Sequence, residues 1–250
     1  MRIIALANQK GGVGKTTSTV NLGAGLAKNG KKVLLVDLDP QANLTYSLGI
    51  KAHELKETIY DVFKNGKSIK NIIIKKNNFF VAPTSIDLSG AEIELVSIAG
   101  RELLLKDALE GLAGYDYILI DCPPSLGLLT LNGLVAAEEV FIAIQTEYLA
   151  LQGMSKMLET INVIKRRLNK RLSVSGVICT LYDGRKNLHK EVVKKVKEHF
   201  KSKVFKTIIR DNISLAESTS YGQTIFEYKN NSYGAEDYLK LAREVVKMER

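Results

Sequence analysis

An isoleucine-rich run, 3-IIALA-7, opens directly into 8-NQKGGVGKTT-17, and this succession constrains the fold more than any other stretch of the chain. The apolar run has the composition of a buried strand, which Gly11, Gly12 and Gly14 then break. Residues 16–29 read as a helix. A strand, a glycine turn and a helix in that order bring free backbone N–H groups and the positive end of a helix dipole to one point, where a phosphate can sit. The stretch follows the pattern G-x-x-x-x-G-K-[ST] with one departure, Gln9 in place of the first glycine. A second lysine, Lys10, precedes Lys15 by five residues.

The chemistry of such a loop assigns roles. Backbone groups of Gly11, Gly12, Val13 and Gly14 would cradle phosphate oxygens, with Thr17 close behind at the helix start. Lys15 would bridge the β- and γ-phosphates, and the Thr16 hydroxyl would ligate Mg²⁺, so ATP and Mg²⁺ are the expected ligands. Two carboxylate elements follow. In 33-VLLVDLDPQAN-43, Asp37 and Asp39 fall at the C-terminal end of a predicted strand, where open α/β sheets bind ligands. Taken alone, the same residues serve equally as strand-end turn chemistry before Pro40. In 117-YILIDCPPSLG-127, an apolar strand ends in Asp121, the form of an acid that holds Mg²⁺ through water.

Ile- and Val-rich runs predict strands at 2–7, 32–37, 71–76, 79–82, 117–121, 140–145, 174–180 and 204–209. Helical patterns lie near 16–29, 55–64, 90–112, 127–137, 150–168, 187–200 and 234–248. Continuous apolar strands alternating with helices predict an α/β fold, a mostly parallel twisted sheet with helices on both faces. With four prolines in 250 residues and no linker-like segment, residues 1–250 read as a single domain. No apolar run approaches the roughly 20 residues a membrane span needs, and the N-terminus starts on a strand with no leader pattern.

Cys122 and Cys179 sit in apolar strand-like runs, the usage of buried thiols in a reducing cytoplasm. His53, His189 and His199 show no ligand spacing and read as solvated. The net charge of +9 is unevenly spread: 16 Lys and Arg against 4 Asp and Glu between Lys156 and Arg210 give +12, leaving −3 for the rest. One region carries the whole basic excess, which points to a polyanion partner.

Taken in order, KGGVGKTT, VDLDPQAN, ILIDCPPSLG, QTEYLALQG and TLYDGRKNL resemble the ParA/Soj proteins. These ATPases segregate chromosomes and plasmids, within the MinD/ParA group of deviant Walker A P-loop NTPases. The resemblance runs from Arg2 to about Arg243 and implies a single-domain P-loop NTPase that works as a homodimer closed on ATP. It implies that Lys10 reaches in trans to the phosphates of the partner subunit and takes part in catalysis with Lys15. It makes Asp39 the residue that positions the attacking water, puts Asp37 nearer the metal, and places Glu147 against the nucleotide across the interface. Where family members often read close to PRNVRLSEAPS, this chain has 210-RDNISLAESTS-220. That segment borders the adenine pocket, with Asn212 beside the nucleotide, and supplies part of the DNA-contact surface, with Arg210 on it.

The resemblance also makes Arg185 a DNA-contact arginine. In 187-NLHKEVVKKVKEHF-200, Leu188, Val192, Val196 and Phe200 form one stripe, while Lys186, Lys190, Lys194, Lys197 and Lys201 form another facing away from it. On position alone that stripe is a solvated face; with the concentrated charge it predicts phosphate contacts to double-stranded DNA with little sequence preference. A ParB-like partner would trigger hydrolysis, and the protein would be cytoplasmic and nucleoid-associated, with no membrane expected. The competing reading is a MinD-like membrane switch anchored by 236-EDYLKLAREVVKMER-250, where Tyr238, Leu241, Val245 and Met248 share one side.

Overall fold

The structure, a computed structural model, describes residues 1–148, 150 and 154–248. Seven strands form one sheet: β1 (Arg2–Ala7), β2 (Val33–Asp37), β3 (Ile74–Lys76), β4 (Phe79–Ala82), β5 (Tyr117–Asp121), β6 (Glu139–Gln145) and β7 (Ser173–Thr180). Their order is β3-β4-β2-β5-β1-β6-β7. Every neighbouring pair is parallel except the β3–β4 edge, which is antiparallel.

Alternate residues of β5 show why both faces are covered. Ile118 and Ile120 pack with Leu129, Leu134 and Ile161, from the helices Leu128–Ala136 and Met154–Arg167. Tyr117 and Leu119 pack on the other face with Leu22, Leu26, Tyr238 and Leu241, from the helices Lys15–Lys28 and Tyr233–Lys247. All five β5 side chains are fully buried, so a run with no polar alternation is what this position demands. Parallel register sets Asp37 beside Asp121 at the C-terminal ends of β2 and β5.

Three predicted elements need correction. Of the strand predicted at 71–76, only Ile74–Lys76 pairs, because Ile69–Ile72 is a helical turn. The helix predicted at 90–112 is two, Leu88–Glu94 and Leu104–Leu109. Asn132 fixes the break, its side chain accepting from Leu105 N at 3.1 Å and donating to Arg101 O at 2.8 Å. The run 204–209 lies beside β7 without forming a strand: it makes one isolated bridge at Val204, and Phe205 N and Ile209 N donate to Val177 O and Cys179 O at 3.0 and 2.9 Å. The amides of Lys206 and Thr207 donate to the Glu244 carboxylate, at 2.7 and 3.1 Å, where a strand would donate to a neighbour's carbonyls. Short helices at Asn43–Ser47, Ile213–Ser220 and Ile225–Tyr228 had no periodic signal in the sequence.

Gly49 follows the first of these short helices and Gly222 follows the second. Both have positive φ, at 69° and 64°, and a Cβ on Gly222 would lie 2.6 Å from the Gly49 Cα. The two backbones can touch because Gly222 has no side chain.

Candidate functional site

The glycine loop ends in left-handed backbone that only glycine adopts cheaply, with Gly12 at φ 73° and Gly14 at φ 82°. Gly14 starts the helix Lys15–Lys28, and no side chain caps its first amides. Space is open around Gly11 and Gly12, where an added Cβ would meet nothing within 4 Å. The loop is held from behind: Asn8 Nδ2 donates to Ala143 O at 2.6 Å, Lys10 N to Asn8 Oδ1 at 3.0 Å, and Thr180 Oγ1 to Val13 O at 2.8 Å. A cleft of about 550 Å³ lies over it, lined by Gly11, Gly12, Gly14, Lys15, Thr16 and Thr17, by Asp39, Gln41 and Pro124, and by the segment from Ile209 to Ile213.

Inside the cleft Lys15 is 7% exposed, and its Nζ reaches Lys10 O at 3.2 Å. Burial lowers its pKa from the usual lysine range, and the carboxylates of Asp121 and Asp39 partly restore it. Thr16 Oγ1 donates to Asp121 Oδ2 at 2.6 Å and Thr19 Oγ1 to Asp121 Oδ1 at 3.2 Å. Burial pushes Asp121 up to about 7 despite these donors and Lys15. Asp37 is pushed to about 8, first by burial and then by the neighbouring charge of Asp121. Two adjacent buried carboxylates in this condition favour a proton or a cation between them. Asp39 faces the cleft itself, and its Oδ1 accepts from Gln41 N at 3.0 Å.

Asp37 and Asp121 are buried and absent from the cleft lining, as is Val13, whose carbonyl accepts from Thr180. Asn212 lines the cleft, and its side-chain oxygen caps the helix Ile213–Ser220 by accepting from Ser214 N at 3.0 Å. Lys10 lies outside the cleft, where its Nζ contacts Glu147 Oε2 at 2.9 Å and Gln145 Oε1 at 3.3 Å. Leu149 and 151–153 of the QTEYLALQG motif lie outside the described residues.

Arg185, Lys186, Lys190, Lys194 and Lys197 are all exposed on the loop after β7 and along the helix Asn187–Phe200. Two details differ from the sequence reading. Leu188 is 44% exposed, and the buried side of this helix is His189, Val192, Val193, Val196 and Phe200. His189, expected to be solvated, is buried and accepts from Asp183 N at 3.0 Å, tying the helix to the loop that carries Arg185. Arg210 stands apart from the stripe. Its guanidinium bonds both Asp237 oxygens and Glu236 and lies 4.1 Å from the Tyr233 ring centre, so it is committed within the chain. Cys122 and Cys179 are buried and free, as expected.

Thr180 escaped the sequence reading because a single hydroxyl far along the chain carries no spacing signal, and Thr19 because it lies three residues past the end of the phosphate-loop pattern at Thr16. Among the described residues no three His, Cys, Asp or Glu side chains cluster as a metal cage. The hydroxyl and two carboxylates present fit Mg²⁺, which keeps several waters and takes few protein ligands beside phosphate.

A family model described as "AAA domain" matches residues 1–174. The chain is 50% identical over 248 residues to the sporulation initiation inhibitor protein Soj of Bacillus subtilis, covering 98% of each chain. It is 51% identical over 249 residues to the chromosome-partitioning ATPase Soj of Treponema pallidum, covering 98% of this chain and 97% of that one. A Mycobacterium smegmatis protein described as cobyrinic acid a,c-diamide synthase, solved with ADP and magnesium, superposes with a TM-score of 0.88. It shares 37% identity, over 100% of this chain and 97% of the other.

Proposed function

Since the chain belongs to the ParA/Soj family of chromosome-partitioning ATPases, with the family's P-loop NTPase fold, we propose that it is an ATP-driven DNA-segregation switch. ATP with Mg²⁺ occupies the cleft, closes a dimer, and so gives the basic surface its grip on DNA. A ParB-like partner then stimulates hydrolysis and release, and the protein works in the cytoplasm on the nucleoid. One observation carries the reading: the glycine cradle, buried Lys15, the Thr16–Asp121 pair and the Asp39 carboxylate converge on one cleft.

The chain's own groups divide the work. Amides of Gly11 to Gly14 and the helix start bind phosphate, and Lys15 neutralises it in a poorly solvated place where charge counts most. Thr16, with Asp121 and Asp37 behind it, would hold the cation, whose charge would offset what remains. Asp39 orients the attacking water. Lys10 works in trans: two nucleotide–metal sites facing each other retain net negative charge, and an added cation from each side relieves it. Its contact with Glu147 is half-exposed and worth at most ~1 kcal/mol, so it yields easily to a phosphate.

The basic surface supports DNA as the partner. Each exposed lysine makes a weak, salt-screened contact. Two subunits on one rigid body double those contacts at high effective concentration. The membrane alternative is weakened by the terminal helix, whose Tyr238, Leu241 and Val245 are at most 1% exposed. Tyr238 also shares a hydrogen bond with Ser18 of the phosphate-loop helix at 3.0 Å, so that apolar side is already occupied. No described helix is long and apolar enough to cross a membrane.

The test is random-sequence duplex binding, with mass measured by light scattering, in ATP and in ADP. Dimer mass and DNA binding should appear together with ATP and fade with ADP. Equal DNA binding in both nucleotides, or ATP-dependent flotation with liposomes, overturns the reading.

A further inference from the structure

Asp37 is the hub of a buried hydrogen-bond chain. Its Oδ1 accepts from Asp39 N at 3.1 Å, and its Oδ2 accepts both Thr45 N at 2.9 Å and Thr45 Oγ1 at 2.7 Å. The chain continues outward: Thr84 N donates to Thr45 Oγ1 at 3.2 Å. Asp37, Thr45 and Thr84 are each 0% exposed, so no solvent competes for these bonds.

The direction of each bond is fixed by chemistry. The Thr84 amide can only donate, so it occupies a lone pair of the Thr45 oxygen and leaves the hydroxyl proton for Asp37. Asp37, gripped by the Thr45 hydroxyl on one oxygen, presents the other to the Asp39 amide. Asp39 follows two residues later on a short turn that also holds Ala42 at φ 53° and the bond from Ala42 N to Asp39 O at 2.8 Å. The Asp39 side chain therefore faces the cleft from a turn pinned at both ends to one carboxylate, with β4's outgoing loop behind it. Buried hydrogen bonds in series polarise one another and rigidify the segment they join.

We propose that Thr45 is a positioning residue for ATP turnover: its hydroxyl, oriented by the Thr84 amide, locks Asp37 and through it the turn that aims Asp39. Thr45 lies outside the cleft lining. The proposal rests on Asp39 being the turnover carboxylate. Removing the hydroxyl that grips a fully buried carboxyl reduces turnover by ~10-fold or more. Because Thr45 orients and does not bind, the loss falls on kcat, with KM for ATP within about twofold.

The experiment compares Thr45→Val, which keeps shape and removes the hydroxyl, with Thr45→Ser, which keeps the hydroxyl, and with Asp39→Ala. Turnover, ATP affinity and amide hydrogen exchange of the nucleotide-free protein are measured on each. The expected result is low kcat, unchanged ATP affinity and faster exchange across 39–45 in Thr45→Val, all restored in Thr45→Ser. Wild-type turnover in Thr45→Val, or equal loss in both Thr45 variants, overturns the proposal, since the latter assigns the effect to packing of the methyl group. If Thr45→Val does not fold, Thr45→Ala replaces it, and a loss no greater than that of Thr45→Ser overturns it equally. Wild-type turnover in Asp39→Ala would instead remove the premise, whatever the Thr45 variants do.

Discussion

Lys10 and Glu147 meet within one chain, Nζ to Oε2 at 2.9 Å, with both side chains about half exposed. A lysine proposed to act on another subunit's phosphates thus rests on its own subunit beside the phosphate loop. Lys10→Ala should bind ATP as the wild type does and fail to dimerise, read by labelled-nucleotide binding and light scattering. A variant that still dimerises with ATP and turns over normally would move the trans role elsewhere.

Asp39→Ala removes a carboxylate from the cleft and no phosphate contact. The variant should hold ATP, persist as a dimer and turn over ~10²-fold more slowly, the scale of losing a general base. The persistence of the dimer is the informative part, because a merely damaged cleft would weaken binding as well.

The buried carboxylates predict a pH dependence. Unfolded aspartates ionise near pH 4, whereas Asp121 and Asp37 in the fold hold their protons to about 7 and about 8. Between those limits the folded chain binds more protons than the unfolded one, so stability falls as pH rises. Without metal or nucleotide, the melting temperature should drop from pH 5.5 to 8.5. Asp121→Asn should flatten that slope, because the Thr16 and Thr19 hydroxyls can turn to suit an amide. A flat wild-type profile would contradict the assignment.

Arg185 is 91% exposed and chelates Asp183 through two bonds of 2.9 and 2.8 Å. Its DNA role should appear in a salt series, at a slope of about −0.9 per neutralised phosphate. Arg185→Ala should weaken binding and flatten the slope while ATP-dependent dimerisation persists. A Lys190/Lys194/Lys197→Ala triple variant should flatten it further, and three equal slopes would leave the stripe as a solvated face.

Arg210 should behave in the opposite way. Its partner Asp237 is 5% exposed, and removing the guanidinium takes away the cation that balances this buried carboxylate, although the Arg210 amide still donates to it at 3.0 Å. Allowing for the one-third exposure of Arg210, Arg210→Ala should cost about 1–2 kcal/mol of stability, read as a lower melting temperature. Its DNA salt slope should match the wild type.

Elements whose residues face one environment throughout were legible in the sequence. The runs IIALA and YILID are buried on both faces, and the glycine loop must break a strand in one particular way. What escaped was set by side chains arriving from elsewhere. Asn132 splits a predicted helix from across the fold, Glu244 takes the amides that would have made an eighth strand, and Asp237 claims Arg210, which the sequence placed on the expected DNA surface. The site shows the same division. Lys15, Thr16 and Asp121 lie in contiguous motifs, whereas Thr180 and Thr45 act through one hydroxyl each and leave no pattern.

The contact between Gly49 and Gly222 has a consequence for the cleft. Asn43 and Ser47 line one wall and Leu215 and Thr219 the other, and each wall runs into one of the two glycines. The backbones meet there with no room for a Cβ, at 2.6 Å from Cα and 2.9 Å from N. Any side chain at Gly222 would act as a shim, prising the walls apart at their base. The aperture of the cleft is set at this joint by the methyl group that Gly222 lacks.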